Sequence, residues 1–393
     1  MSNATTPDHI PAELEAGRVL IAEVLSPMKQ AFVEKDEIID LLGICLVARE
    51  NLFLLGPPGT AKSALVQELG RRIDGRVFDY LLTRFTEPNE IFGPFDIRRL
   101  REGDLVTNTE GMLPDADFVF LDELLNANSA ILNSLLLVLN ERVFRRGRET
   151  RALPTLMVVG ASNRLPEDEA LGALFDRFLL RVRCENVGDD RLNEVLDAGW
   201  KLDIARNGQQ AKVSLDSIRQ LHGQLSAADF SAVRESYPDL VRRIREAGVA
   251  MSDRRAVKLQ RLIAASALLC GRHAVNRTDL WPLRYIWDTE EQQSIIAAIV
   301  NDELEKADDA EKSVAHPRSR ENASPDAEEL ARDLDALAER IAASDVTEDE
   351  RGTFGDRLRL IASCCQWIPD AQQREFLETK VSKMWHSLQG ADA

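Results

Sequence analysis

The stretch NLFLLGPPGTAKS, residues 51–63, constrains the fold more than any other part of the chain. A short apolar run breaks into Gly and Pro and then enters residues with helical spacing, so it reads as strand, loop and helix. Gly56, Pro57, Pro58, Gly59, Thr60, Ala61, Lys62 and Ser63 fit a phosphate-binding loop, in which backbone N–H groups and a helix N-terminus surround the β- and γ-phosphates. Lys62 then supplies charge and Ser63 a magnesium ligand. The strict pattern has a second Gly where this chain has Ala61. Because that position leads into the helix, its backbone is expected near helical values, where a methyl group is tolerated. The plain alternative is a Gly-rich turn that binds nothing.

Apolar strands follow near residues 77–82, 118–121 and 156–161, separated by helical stretches such as 129–142. This alternation implies an α/β module, a parallel sheet with helices on both faces. Residues 12–30 and 36–49 ahead of it carry helical spacing. From about Asp189 the pattern is helical alone, with helices expected at 214–225, 232–247, 253–269 and 290–304. The run KADDAEKSVAHPRSRENASP is polar and Pro-containing, as a flexible linker or long loop would be. After it Leu330, Leu334, Leu337 and Ile341 line one helical face, and amphipathic segments follow at 354–366 and 371–388. The expected division is an α/β core with N-terminal helices over 1–187, an all-α lid over 188–305, a linker over 306–325 and a three-helix unit over 326–393.

The second chemical signal is FVFLDE, an apolar strand ending in Asp122 and Glu123. After a phosphate loop, Asp122 is placed to sit near magnesium and Glu123 to polarise the attacking water, since phosphoryl transfer depends on positioning and charge stabilisation. Two acids ending a strand are otherwise a common surface feature. A third strand ends at Ser162-Asn163, where an Asn side chain can hold that water beside the γ-phosphate; the same residue is also an ordinary turn former.

Composition narrows the partners. The formal net charge of -17 argues against a general nucleic-acid binder, which needs excess Lys and Arg on its contact face. No apolar run approaches the length of a membrane span, and the N-terminal residues lack a basic region followed by an apolar one, so a cytoplasmic location is expected. Five cysteines, odd in number and without CxxC spacing, suit reduced thiols; the adjacent Cys364 and Cys365 read as small buried helix residues.

GPPGTAKS, FVFLDE, GASN, LFDRF and SDRRA, in that order and spacing, resemble the MoxR family of AAA+ ATPases, and most of all its regulatory ATPase variant A branch. The resemblance covers about residues 15–300. Its Walker A and Walker B motifs are shared by many P-loop proteins, whereas FGPFDIRRL, TNTEGMLPDADFVFLDE and NSAILNSLLLVLNER are narrower signals. The branch also tends to carry Ala before the Walker A lysine. The resemblance implies ATP and Mg2+ as cofactors and a homo-oligomeric, hexameric ring. It makes Arg177 the arginine finger, reaching into the neighbouring subunit's ATP; without it, Arg177 reads equally as a helix-terminal partner of Asp176. It makes Arg254 the sensor-2 arginine, completing the site from the same chain, with Arg255 as the fallback. A basic pair at a helix start opposes the helix dipole, a modest hint of an external anion.

Two excursions leave the core. Residues 97–108 are expected as a hairpin turning at Glu102-Gly103-Asp104, similar to the helix-2 insert of this clade. Residues 143–153 are expected as a second hairpin turning near Gly147, made basic by Arg142, Arg145, Arg146, Arg148 and Arg151. A solvated charged face is the plain reading; a neighbouring subunit or an acidic client are the alternatives, with nucleic acid last.

The first expectation for function is an ATP-driven remodelling machine with a protein client. MoxR relatives are linked to partners with von Willebrand factor A domains and to chaperone roles. The terminal helices resemble the triple-helical unit of the regulatory variant without its small β-rich insert. The alternatives are a nucleic-acid translocase or ATP-gated component of a defence or restriction system, and a nucleotide-gated scaffold.

Overall fold

The structure, a computed structural model, describes residues 14–101, 105–146, 149–166, 169–205, 213–320 and 327–341, with 354–355, 358, 361–362, 365, 368 and 370–389. Its centre is a parallel sheet of β1 (Leu52–Leu55), β2 (Val77–Leu81), β3 (Phe118–Asp122), β6 (Met157–Ser162) and β7 (Leu180–Arg183), in the order β2-β3-β6-β1-β7. β1 and β6 are buried throughout, which is why they read as continuous apolar runs. β4 (Val143–Arg146) and β5 (Glu149–Ala152) form a separate antiparallel ribbon.

The fifth strand, β7, is hidden in the sequence because LRVR alternates apolar residues with arginines. The fold explains the first of them. Arg181 is fully buried, lies 4.3 Å over the Phe175 ring, and donates to the carbonyls of Ile286 (3.0 Å) and Phe175 (3.1 Å). Its Nη1 also stands 2.9 Å from Asp288. Each buried guanidinium proton that finds an acceptor offsets desolvation, so the arginine can occupy a core position.

The N-terminal helical stretch is broken by a π-helical turn, Ile21–Leu25, between helices Glu15–Leu20 and Ser26–Ala31. Pro27 lacks the N–H that would bond back to Glu23, and a wider turn ahead of it absorbs the gap. Helix Asp36–Ala48 leads into β1. Beyond β7 lie helices Leu192–Ala205, Leu215–Gly223, Ser236–Glu246, Asp253–Leu269 and Glu290–Glu305, with a nine-residue 3-10 run, Arg277–Tyr285, that holds Pro282.

Residues 306–320, polar enough to be expected as linker or loop, are docked. They carry the short helix Asp309–Ser313 and a 3-10 turn, Pro317–Ser319. His316 is buried with its ring 4.6 Å from that of Trp281. Arg318 donates to Asp40 at 2.7 Å, and Lys29 pairs with the same carboxylate at 2.5 Å. Two residues of the segment, His316 and Arg318, make these contacts, too few to lift its average hydrophobicity. Towards the C-terminus, Leu334 and Leu337 of helix Ala327–Ile341 share a core with Leu358, Ile361 and Cys365 and with Leu377, Val381 and Met384 of helix Ala371–Gln389. Cys364 lies outside the described residues. No described helix is long and apolar enough to cross a membrane.

Candidate nucleotide site

The sheet register brings three sequence signals to one edge. Leu55 of β1 pairs with Ser162 of β6 and with Arg183 of β7, so the loop from Gly56 leaves the sheet beside Asn163 and Cys184. Leu121 of β3 pairs with Gly160, which sets Asp122 level with Ala161. This is the carboxyl edge of a parallel sheet, where open α/β folds hold their ligands.

Local geometry dictates the loop residues. The N–H of Gly56 donates to the Ser162 carbonyl at 3.0 Å and that of Cys184 to the Leu55 carbonyl at 2.8 Å. A Cβ on Gly56 would stand 2.0 Å from the Cys184 carbonyl oxygen, so only Gly fits. Gly59 has open space around it but a φ of +85°, the left-handed region. Ala61 corrects the expectation of near-helical backbone: its φ is 66° and ψ 21°, also left-handed. The helix starts only at Lys62, and Ala61 is the hinge before it. An L-residue there is disfavoured by about 1–2 kcal/mol, which explains why the strict motif has Gly.

Lys62 is buried, and its Nζ donates to the carbonyls of Gly56 (2.9 Å) and Pro57 (2.7 Å). Thr60 Oγ1 donates to the Pro57 carbonyl at 3.0 Å, and Cys184 Sγ lies 3.2 Å from the Thr60 carbonyl. Ser63 stands half-buried in the first helical turn. Among the described residues the buried ammonium therefore has neutral partners alone, a cost that an anion in the loop would remove.

Across the edge, half-buried Asp122 accepts from the Glu123 N–H at 3.0 Å. Glu123 has a φ of 49° and ψ of 42°, another left-handed residue, as strained backbone at a working site often is. Its Oε2 accepts from Asn126 Nδ2 at 3.4 Å, and Asn126 Oδ1 accepts from Arg164 Nη2 at 3.4 Å. Asn126 and Arg164 were not singled out in the sequence; their only signal was adjacency to Glu123 and Asn163. Asn163 itself is exposed at the end of β6.

Two expected site residues lie at the other edge. Arg177 precedes β7, and its carbonyl accepts from Asn51 Nδ2 (3.0 Å) at the start of β1, whereas the phosphate loop is at the end of β1. Four residues of strand, roughly 13 Å at about 3.3 Å each, intervene. The side chain pairs with Asp176 at 3.0 Å. Arg254 is at that same edge. Its Nη2 donates to Asn140 Oδ1 at 2.8 Å near the end of helix Ser129–Glu141, next to Arg142, which donates to Asn51 Oδ1 at 2.6 Å. Arg254, expected to complete the site within its own chain, thus stands away from its own phosphate loop. Arg255 is buried, donating to the carbonyls of Ala250 and Ile286 and to Asp288, so Arg254 is the exposed member of the pair.

The two excursions pack on each other. Asp96 N–H donates to the Val106 carbonyl and Asn108 N–H to that of Pro94, each at 2.8 Å, as in a hairpin. In place of a first arm, Ile97–Arg101 forms a short helix, because Asp96 Oδ1 accepts from the N–H groups of Arg98 (2.8 Å) and Arg99 (3.3 Å) and caps a turn. The expected turns at 102–104 and at Gly147, and Arg148, lie outside the described residues. In the basic ribbon, Arg146 donates to Gly93 (2.7 Å) and Asn89 (2.5 Å) and lies 3.9 Å over the Phe95 ring. Arg151 pairs with Asp115 at 2.6 Å. With Arg142 on Asn51, three of the ribbon's cations serve contacts inside the chain; Arg145 is exposed.

Comparison with known proteins agrees with this layout. Residues 19–223 match the family described as the MoxR domain in the MoxR-vWA-beta-propeller ternary systems, and residues 227–300 match an AAA lid domain. Two uncharacterised proteins of Methanocaldococcus jannaschii are 34% and 31% identical, over 72% and 69% of this chain and 74% and 72% of theirs. Chaperone MoxR1 of Mycobacterium tuberculosis is 25% identical over 55% of this chain and 56% of its own. A Cytophaga hutchinsonii crystal structure, described only provisionally as an ATPase, superposes with a TM-score of 0.60 at 19% identity over 75% of this chain and 96% of that one, a likeness of fold.

Proposed function

This chain belongs to the MoxR family of AAA+ ATPases, and on that premise we propose that it hydrolyses ATP at the carboxyl edge of its sheet, within a hexameric ring of identical subunits, to remodel a protein partner. The observation that carries the reading is buried Lys62, held by carbonyl oxygens at the edge where Asp122, Glu123 and Asn163 also lie. Phosphate oxygens would take over the two carbonyl contacts of Lys62 and gather the loop N–H groups from Gly59 to Ser63. The residues fit magnesium too: Ser63 and Asp122 are hard oxygen donors of the kind it takes, and the ion would neutralise charge on the phosphates. Glu123 orients the attacking water and accepts its proton, and Asn163 holds that water from the neighbouring strand.

Arg177 and Arg254 stand about a strand's length from their own loop, so in this reading both reach the next subunit's ATP. The catalytic unit is then the interface between subunits. The partner is a von Willebrand factor A domain protein, with a β-propeller protein as a further member, by analogy with the systems for which the matching family is described. A chaperone-like role follows the name of the mycobacterial relative. Affinity to the regulatory ATPase variant A branch rests on the sequence motifs and on Ala61.

The test is Glu123→Gln. Retained ATP binding with turnover reduced about 100-fold or more is expected, read by filter binding and phosphate release. Unchanged turnover would remove Glu123 from the mechanism.

A further inference from the structure

Away from the phosphate loop, a cavity of about 400 Å³ lies where the docked segment 316–320 meets β7 and the helical domain. Arg183, Arg284, Arg318 and Arg320 line it, against one carboxylate among the described lining residues, Glu37. No residue from Gly56 to Ser63 contributes to its wall.

Among the described residues, the ion pairs at this cavity involve Arg183 and Arg318. Arg183 pairs with Glu290 (2.7 Å) and Glu185 (3.2 Å), and Arg318 shares Asp40 with Lys29. Arg320 donates to the carbonyl of Lys312 at 2.7 Å, a neutral acceptor. Arg284 is spread in a fork, donating to Asn301 Oδ1 (2.6 Å) and to the carbonyls of Arg318 (2.6 Å) and Ser319 (3.2 Å), so its plane is fixed before any ligand arrives. Glu37 is already engaged as acceptor for the Tyr285 hydroxyl at 2.6 Å.

An independent observation comes from Gln293. Its side-chain amide nitrogen is buried without a hydrogen-bond partner among the described residues, and the residue lines the same cavity. A buried donor that lacks an acceptor carries a desolvation cost, and a ligand oxygen removes it. Positioned guanidiniums, an orphan amide donor and a volume within the ordinary range of small-molecule sites call for one chemistry, a compact polyanion with several acceptor oxygens.

We infer that this cavity binds a small phosphate-bearing anion at a site separate from the nucleotide loop. Its occupancy clamps segment 316–320 to the helical domain and to β7. Arg183 lies next to Cys184, whose thiol and N–H contact the phosphate loop and β1, so the clamp is one residue away from the proposed ATP site. The inference does not depend on hydrolysis at that site.

The experiment is calorimetric titration of the full chain with pyrophosphate and, in a second arm, ADP, in a Lys62→Ala background that disables the loop. Both should bind, and adding Arg320→Ala or Gln293→Leu should weaken each about 10-fold, with melting curves confirming that the variants fold. Tighter binding of ADP identifies a nucleoside phosphate as ligand; equal binding shows that the phosphates alone are read. Absence of binding in the Lys62→Ala chain, or binding insensitive to both added substitutions, overturns the site.

Discussion

Arg254 Nη2 stands 2.8 Å from Asn140 Oδ1 at the edge of the sheet where β1 begins, whereas Lys62 closes the loop that leaves the other end of β1. An arginine so placed would reach a nucleotide in its own loop only by spanning the length of β1.

Complementation should follow. Lys62→Ala and Arg254→Ala chains should each lose about 100-fold or more of the ATPase activity, and so should Arg177→Ala. In an equal mixture of Lys62→Ala with either arginine variant, about a quarter of the head-to-tail interfaces unite an intact loop with an intact arginine. Phosphate release should recover accordingly. Mixtures no more active than their components would place both arginines outside the neighbour's site.

The loop glycines and Ala61 should separate by cause. Gly56→Ala drives a methyl group to 2.0 Å from a backbone oxygen between β1 and β7 and should cost about 3 kcal/mol or more. Ala61→Gly relieves a left-handed alanine but adds freedom to the unfolded chain, so stability should hold or rise by about 0.5 kcal/mol. Chemical denaturation measures both, and a clear loss in Ala61→Gly would contradict the loop geometry.

Acid should weaken the docking of segment 316–320. Burial, with Lys29 and Arg318 nearby, pulls His316 down to about 3, despite the opposing pull of the Asp40 carboxylate. The unfolded chain, with an ordinary histidine near 6.5, binds more protons between those values, so stability falls as pH drops through that window, by at most about 1.4 kcal/mol per unit. Burial pushes the Asp40 carboxyl up, but Lys29, His316 and Arg318 together hold it below the usual carboxylate range, so its own loss is added only in more acid solution. The Trp281 ring stacks on His316, so its fluorescence should follow the change, and His316→Asn should flatten the slope between pH 6.5 and 4. A slope unaltered by that substitution would exclude His316 as its source.

The basic ribbon should divide by side chain. Arg146→Ala removes two hydrogen bonds and the Phe95 contact, and amide exchange across residues 94–101 and 105–108 should quicken, reflecting a loss of about 1–3 kcal/mol. Arg145→Ala should leave that exchange unchanged. Equal effects from the two would mean that the ribbon does not brace the insert.

Much of this was legible from residue order alone. β1, β2, β3 and β6 announced themselves as apolar runs, and helix Asp253–Leu269 has the bounds that its periodicity indicates. The site's acidic and phosphate-loop residues reached one edge because parallel strands with a common direction carry their following loops there. What stayed hidden was decided by tertiary contacts. β7 was masked by Arg181, whose burial depends on acceptors more than a hundred residues away. The short helix Ile97–Arg101 depended on which acceptor Asp96 chose, and the docking of residues 306–320 on His316 and Arg318 meeting a distant pocket. The placement of Arg254 required knowing how the helical domain sits on the sheet, which no local pattern encodes.

That seating has its own consequence. Arg181 of β7 and Arg255 of the helical domain both hold Asp288 and the Ile286 carbonyl, with Arg181 wholly enclosed and pulled by burial down to about 9. Prising the two regions apart would strand two guanidiniums beside one acid, a far larger penalty than sliding one whole subunit against another. If ATP drives motion in a ring of such chains, it would be transmitted as in a gear train of stiff wheels, with the play at the teeth and none in the spokes.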